Sequence, residues 1–129
     1  MYYKYLTIIA FTLLSTQAFS QSRLTKMKAT PATEMADKMT SMIQEKLSLS
    51  EEQAASVKPI MLEDAQKKKD IIENSSMFTI RGKMKSLQKE TKGKLQHILT
   101  ADQLKLYQDS VSEEMQEEFK AWIDSRKLN

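Results

Sequence analysis

Two short segments fifty residues apart carry the same helix-starting chemistry. Leu49-Ser50-Glu51-Glu52-Gln53 and Leu99-Thr100-Ala101-Asp102-Gln103 each place a hydroxyl residue three positions before a glutamine, directly after a leucine. The hydroxyl caps a free N–H of the first helical turn, and the glutamine side chain reaches back to the N–H of the capping residue. Glu51 and Glu52 follow the first cap, where the helix dipole favours negative charge. In the second box, Leu99 and Leu104 stand at the positions of a hydrophobic staple. Each box ends one helix and opens another, so the chain must fold as helices that reverse direction at these points.

Periodicity fills in the rest. Met35, Met39, Met42 and Ile43 predict a first helix from about Thr33 to Lys46. The second runs from Ser50 through Val57, Ile60, Met61, Ala65, Ile71 and Ile72, with Pro59 inside it. Proline removes one backbone bond there, so a bend is expected, not a break. Asn74-Ser75-Ser76 is a turn signal. A third helix follows from about Phe78 to Ile98 on the stripe Ile80, Met84, Leu87, Thr91, Leu95 and Ile98. The fourth carries Leu104, Tyr107, Val111, Met115, Phe119, Trp122 and Ile123. With only 2 Gly and 2 Pro, a fold built on many turns is disfavoured, and the class is all-α. Four helices in extended hairpins are expected over residues 33–126. Long rods with one narrow apolar stripe need each other to close a core, and a second copy of the chain is expected to help.

The beginning of the chain reads as an address. Lys4 precedes the apolar run Leu6–Leu14, and the small residues Ala18 and Ser20 follow it. The run is about half the length a membrane-spanning helix needs. Residues 1–20 therefore read as a secretory signal peptide cleaved after Ser20, and the mature chain is expected in the periplasm without stable membrane insertion. Residues 21–32 are polar, with Pro31 near their end, and read as a flexible N-terminal arm.

Composition excludes several chemistries. There is no Cys, and His97 is the single histidine, so disulfides, thiolate nucleophiles and multi-histidine metal clusters are ruled out. The pairs Glu113 with Glu117 and Glu114 with Glu118 lie on an acid-rich helix with no nucleophile or Gly-rich loop nearby, so a solvated acidic face explains them. No catalytic residue, cofactor or metal site is read, and the chain is not expected to be an enzyme. Near balance of charge gives no case for nucleic acid. Charge is nevertheless uneven. Arg81, Lys83, Lys85, Lys89, Lys92 and Lys94 cluster on the third helix against Glu90 alone, and acids crowd the fourth. The basic face is either solvated or a surface for acidic partners. Met35, Met39 and Met42, with Met61 and Met84, form either an adaptable hydrophobic face or, less simply, a soft-metal site; no His or Cys assists the metal reading.

Taken with the leader and the methionine-rich, cysteine-free helices, the two boxes resemble the LTxxQ family of periplasmic proteins, the Spy/CpxP-like group. Leu49, Ser50 and Gln53 match the first motif, with serine where threonine is usual, and Leu99, Thr100 and Gln103 match the second. The resemblance implies a cradle-shaped antiparallel homodimer that holds unfolded or partly folded proteins without ATP, or restrains a sensor-domain partner in an envelope stress response. Under that reading, Arg81, Lys83, Lys85, Lys89, Lys92 and Lys94 draw clients in, and Met35, Met39 and Met42 adapt to their apolar segments. A dedicated module docking one partner is the alternative, and a metal-responsive protein the weaker one. The shared motif is a structural cap, so it speaks to fold more directly than to function.

Overall fold

The computed structural model describes residues 21–128, and among them every regular element is helical. Residues 21–29 form α1. It is followed by α2 (Ala32–Leu47), α3 (Glu51–Asn74), α4 (Met77–Leu95), α5 (Ala101–Leu106) and α6 (Ser112–Ser125), the last two joined by a π-helical turn, Tyr107–Val111. The chain is all-α, and the four expected helices correspond to α2, α3, α4 and the continuous α5–α6. The leader expected at residues 1–20 lies outside the described residues.

Residues 21–32, expected as a flexible arm, differ from that reading. Met27 is buried, Leu24 packs against the core, and both sit on one side of α1. On α1 the Arg23 guanidinium pairs with the Asp124 carboxylate at 3.0 Å, and Lys26 Nζ donates to the Asp124 carbonyl at 2.6 Å. Polar composition hid a helix because only two apolar residues are needed when two cations dock on the end of α6.

Both capping boxes form as expected. Ser50 Oγ accepts from Gln53 N at 3.1 Å, and Thr100 Oγ1 accepts from Gln103 N at 3.2 Å. Ahead of the first box, α2 ends in a tight reversal. Ser48 adopts a left-handed conformation at φ 51°, and the Leu49 N–H donates back to Gln44 O at 3.0 Å. α3 continues through Pro59, and the chain turns at Ser75–Ser76, where the sequence predicts it.

A single chain closes its own core. α2 lies between α3 and α6, and α3 between α2 and α4. Met35, Ile43, Val57, Met61, Leu95 and Ile123 are at most 1% exposed. α6 runs antiparallel to α2 and is pinned at both ends: Lys46 Nζ meets Glu118 at 2.7 Å and Glu114 at 3.3 Å, while Arg126 meets Glu34 at 2.7 Å. That return of α6 supplies a second wall against α2.

The π turn has a geometric cause. Tyr107, Val111, Met115, Phe119 and Ile123 are all buried at strict four-residue spacing. Four residues of α-helix rotate about 40° past one full turn, so such a stripe drifts off the core. The wider π turn, closed by Ser112 N–H donating to Tyr107 O, takes up part of that drift at the first step.

Candidate functional site

The two boxes meet. Gln53 Nε2 donates to Gln103 Oε1 at 2.7 Å, and Gln103 Nε2 donates to Gln53 Oε1 at 3.3 Å. Each Oε1 also accepts the N–H of its own cap, Ser50 at 3.1 Å and Thr100 at 3.0 Å. Each Nε2 also reaches a carbonyl of the segment leading into the other box: Ile98 O at 3.2 Å for Gln53, and Leu47 O at 3.4 Å for Gln103. Leu49 and Leu99, which precede the two caps, are buried. The polar groups of this clasp satisfy one another, so it is a structural closure and not a ligand site.

A second polar cluster lies deeper. Asp64, 4% exposed, accepts from Thr91 Oγ1 at 2.6 Å and pairs with Lys68 at 2.6 Å. The Lys68 ammonium also lies 3.6 Å from Met39 Sδ and 5.0 Å from the centre of the Phe119 ring. Burial raises the Tyr107 hydroxyl above its ordinary pKa of 10.0; the Ser112 hydroxyl opposes that shift and the Asp64 charge adds to it. This cluster ties α3 to α4 and sets its one carboxylate against one ammonium. The sequence pattern passed over it: Asp64 falls on the apolar line, seven residues after Val57 and three after Met61, but reads as a charged interruption of it, and nothing marks its partner Thr91, 27 residues on.

The surface with open chemistry is the α3–α4 hairpin. The first half of α4, Met77 to Ser86, buries no residue. Phe78 is 97% exposed and Met77 54%. Beside them an open groove of about 720 Å³ runs between α3 and α4, lined by Lys67, Asp70, Ile71, Phe78, Lys83 and Leu87. Phe78 stands off the third-helix stripe in the sequence, and that was the available signal for its exposure.

The six clustered cations split into two sets. Lys83 Nζ donates to Ser75 Oγ at 2.9 Å, and Lys94 pairs with Glu63 at 2.8 Å and Glu90 at 3.4 Å. Lys67 joins the same carboxylates, at 3.1 Å and 2.5 Å, to complete an alternating quartet across α3 and α4. Hydrogen bonds from Lys94 and Lys67 hold Glu63 below the usual carboxylate range, and one from Lys67 does the same for Glu90. Arg81, Lys85, Lys89 and Lys92 form no ion pair among the described residues. With Phe78 they recur at three- and four-residue steps, which places them on one flank of α4.

The methionines expected on the binding surface are elsewhere. Met35, Met39 and Met42 are 0%, 7% and 4% exposed, and Met61 is 1% exposed. Their stripe is the core face of α2 and α3, where an unbranched side chain fills irregular space. The expectation that Met35, Met39 and Met42 lie on an exposed binding surface is corrected: they are core residues.

A family model described as a domain of unknown function, DUF4890, matches residues 17–107. The chain belongs to the DUF4890 family. No curated protein and no solved structure matches it. The DUF4890 match runs through both capping boxes, and so takes in both halves of the Gln53–Gln103 clasp, together with the whole of the α3–α4 hairpin.

Proposed function

We propose that this DUF4890 protein is an LTxxQ-type periplasmic binding protein that holds partly unfolded clients, without ATP, on the exposed half of the α3–α4 hairpin. The observation that carries the reading is the company Phe78 keeps. An almost fully exposed aromatic ring, with Met77 beside it, opens onto a groove and heads a row of four cations that form no ion pair among the described residues. Large exposed apolar groups on a hairpin tip cost solvation and mark contact surfaces. The cations add long-range attraction for acidic segments, and contacts of this mixed kind release readily. The clasp of Gln53 with Gln103 supports the family reading by joining the two motifs into one structural unit.

A second reading has its own support. With the methionines in the core, the recognition surface is confined to one hairpin, and a surface that small suits a single partner such as a sensor domain.

One experiment separates the two. The exported, purified chain is added to a diluted unfolded reporter, and light scattering is followed without ATP. Suppression near stoichiometry that is lost in Phe78→Ser supports the chaperone. No suppression by a chain that circular dichroism shows to be helical favours the dedicated module, and capture of a periplasmic partner by wild type but not by Phe78→Ser then establishes it.

A further inference from the structure

Burial sorts the methionines sharply. Met27, Met35, Met39, Met42, Met61 and Met115 are each at most 7% exposed, and Met84 is partly buried against the core. Met77 is 54% exposed, so among the described residues it alone presents its thioether openly to solvent. Its place explains this. Met77 opens α4 directly after Ser76, on the stretch of that helix that buries no residue, and Phe78 follows it at 97% exposed.

An open thioether reacts with two-electron oxidants of the peroxide class, whereas a buried one waits for the fold to open. Hydrogen peroxide transfers one oxygen to Met77 Sδ. The O–O bond breaks and an S=O bond forms; the sulfur gives up two electrons, and the peroxide is reduced and leaves as water. An apolar side chain becomes a polar sulfoxide. Met77 is no part of the core, so the change leaves the fold intact and falls on the exposed tip. Return to the thioether takes two electrons and two protons, with the oxygen leaving as water. The chain has no Cys to supply them, so a separate sulfoxide reductase with a dithiol is the class of enzyme that reverses the step.

We infer that Met77 is an oxidation site that regulates the α3–α4 tip. Peroxide-class oxidants convert it to the sulfoxide ahead of the other methionines among the described residues, and the sulfoxide weakens the hold of the tip on apolar segments. The regulation rests on the client reading of that tip, whereas the site rests on exposure. Phe78 keeps its ring through such oxidation, so affinity falls without being abolished. The core methionines stay reduced while the fold is closed, so the switch acts on a folded chain.

Peptide mapping by mass spectrometry tests the site. The exported, purified chain is treated with hydrogen peroxide under native conditions, and sulfoxide is followed at each methionine. Met77 should be oxidised at least about tenfold faster than the buried methionines, and ahead of Met84. That lead should vanish in urea. Aggregation suppression then tests the regulation. Oxidised wild type should need about threefold more chain for the same suppression. Met77→Leu should keep its suppression through the same treatment, and Met77→Gln, polar without oxidation, should match the oxidised wild type. Circular dichroism checks that every sample is still helical. Oxidation of the native chain spread evenly over Met77 and the buried methionines overturns the site. Suppression that Met77 oxidation leaves unchanged, or that Met77→Leu loses equally, overturns the regulation. An untreated chain that suppresses nothing fails the client reading and the regulation with it, and the mapping alone then decides the site.

Discussion

Gln53 and Gln103 hold each other amide to amide across the closed end of the bundle, at 2.7 Å in one direction and 3.3 Å in the other. Each glutamine works at once as the back half of its own capping box and as the partner of the other. Replacing either by alanine removes a cap acceptor and leaves the remaining amide half-satisfied. A cost of about 2 kcal/mol is expected, from a cap worth roughly 1 and side-chain bonds of about 1 each. Urea unfolding of Gln53→Ala, Gln103→Ala and the double variant should show that the two losses do not add, with a coupling of about 1 kcal/mol. Strict additivity would mean that the boxes act independently.

The boxes were plain in the sequence, but their meeting was not. A capping box is a local pattern, and only the reversal of direction at both boxes brings their glutamines to one end. Helix limits followed the periodicity closely for the same local reason. The splitting of the α4 cations was hidden, because it depends on where Glu63 lies on another helix. The methionine stripe was legible as a stripe, yet its period says only that one face is apolar, not what covers it. α3 and α6 both pack on α2, and nothing local announces the return of α6. α1 was missed because its stability comes from Asp124, about a hundred residues away.

Backbone conformation and residue type disagree at three places, and each disagreement gives a stabilising substitution. Ser48 sits at φ 51°, where a side chain is strained, whereas Gly82 and Gly93 lie in a helix with open space around the position of a Cβ. Ser48→Gly should stabilise the fold by about 0.5–1 kcal/mol, the relief of left-handed strain less the added freedom of the unfolded chain. Gly82→Ala and Gly93→Ala should each stabilise by about 0.5–1 kcal/mol through helix propensity. Thermal unfolding measures all three, and a destabilising alanine would show that α4 needs its glycines for contact with a partner.

Among the described residues, Lys68 is the cation paired with the buried carboxylate of Asp64. Lys68→Met keeps the stem and removes the charge. It should cost about 2–3 kcal/mol, below the ~3–5 of a fully buried pair because the lysine side chain is 21% exposed to water. Adding Asp64→Asn should recover part of the loss, since the amide still accepts from Thr91 and carries no charge to strand. Chemical denaturation of the two variants decides the matter: equal stability would show that water already serves Asp64.

The quartet joins α4 to α3 beside the buried Leu87, Thr91 and Leu95, and pH should expose its share. Glu63 and Glu90 titrate below their ordinary 4.5 in the folded chain, and their lysine partners Lys67 and Lys94 above 10.5. The depressed carboxylates stabilise the folded form above 4.5 and lose that contribution as pH falls through their folded values. The raised ammonium groups stabilise it below 10.5 and lose theirs as pH rises through the folded values. The hairpin should therefore be tightest between these limits and loosen on the acid side first in ordinary buffers. All four groups are solvent-exposed, so salt should mimic acid by screening them. Hydrogen exchange, corrected for intrinsic rates, should show the amides around Glu90 and Lys94, in the second half of α4, losing protection below about pH 4.5. In Lys67→Ala/Lys94→Ala that difference should vanish, with α4 equally loose at neutral and acid pH. Uniform protection along α4 at both pH values would mean that Leu87, Thr91 and Leu95 hold the whole helix and that the quartet only decorates it.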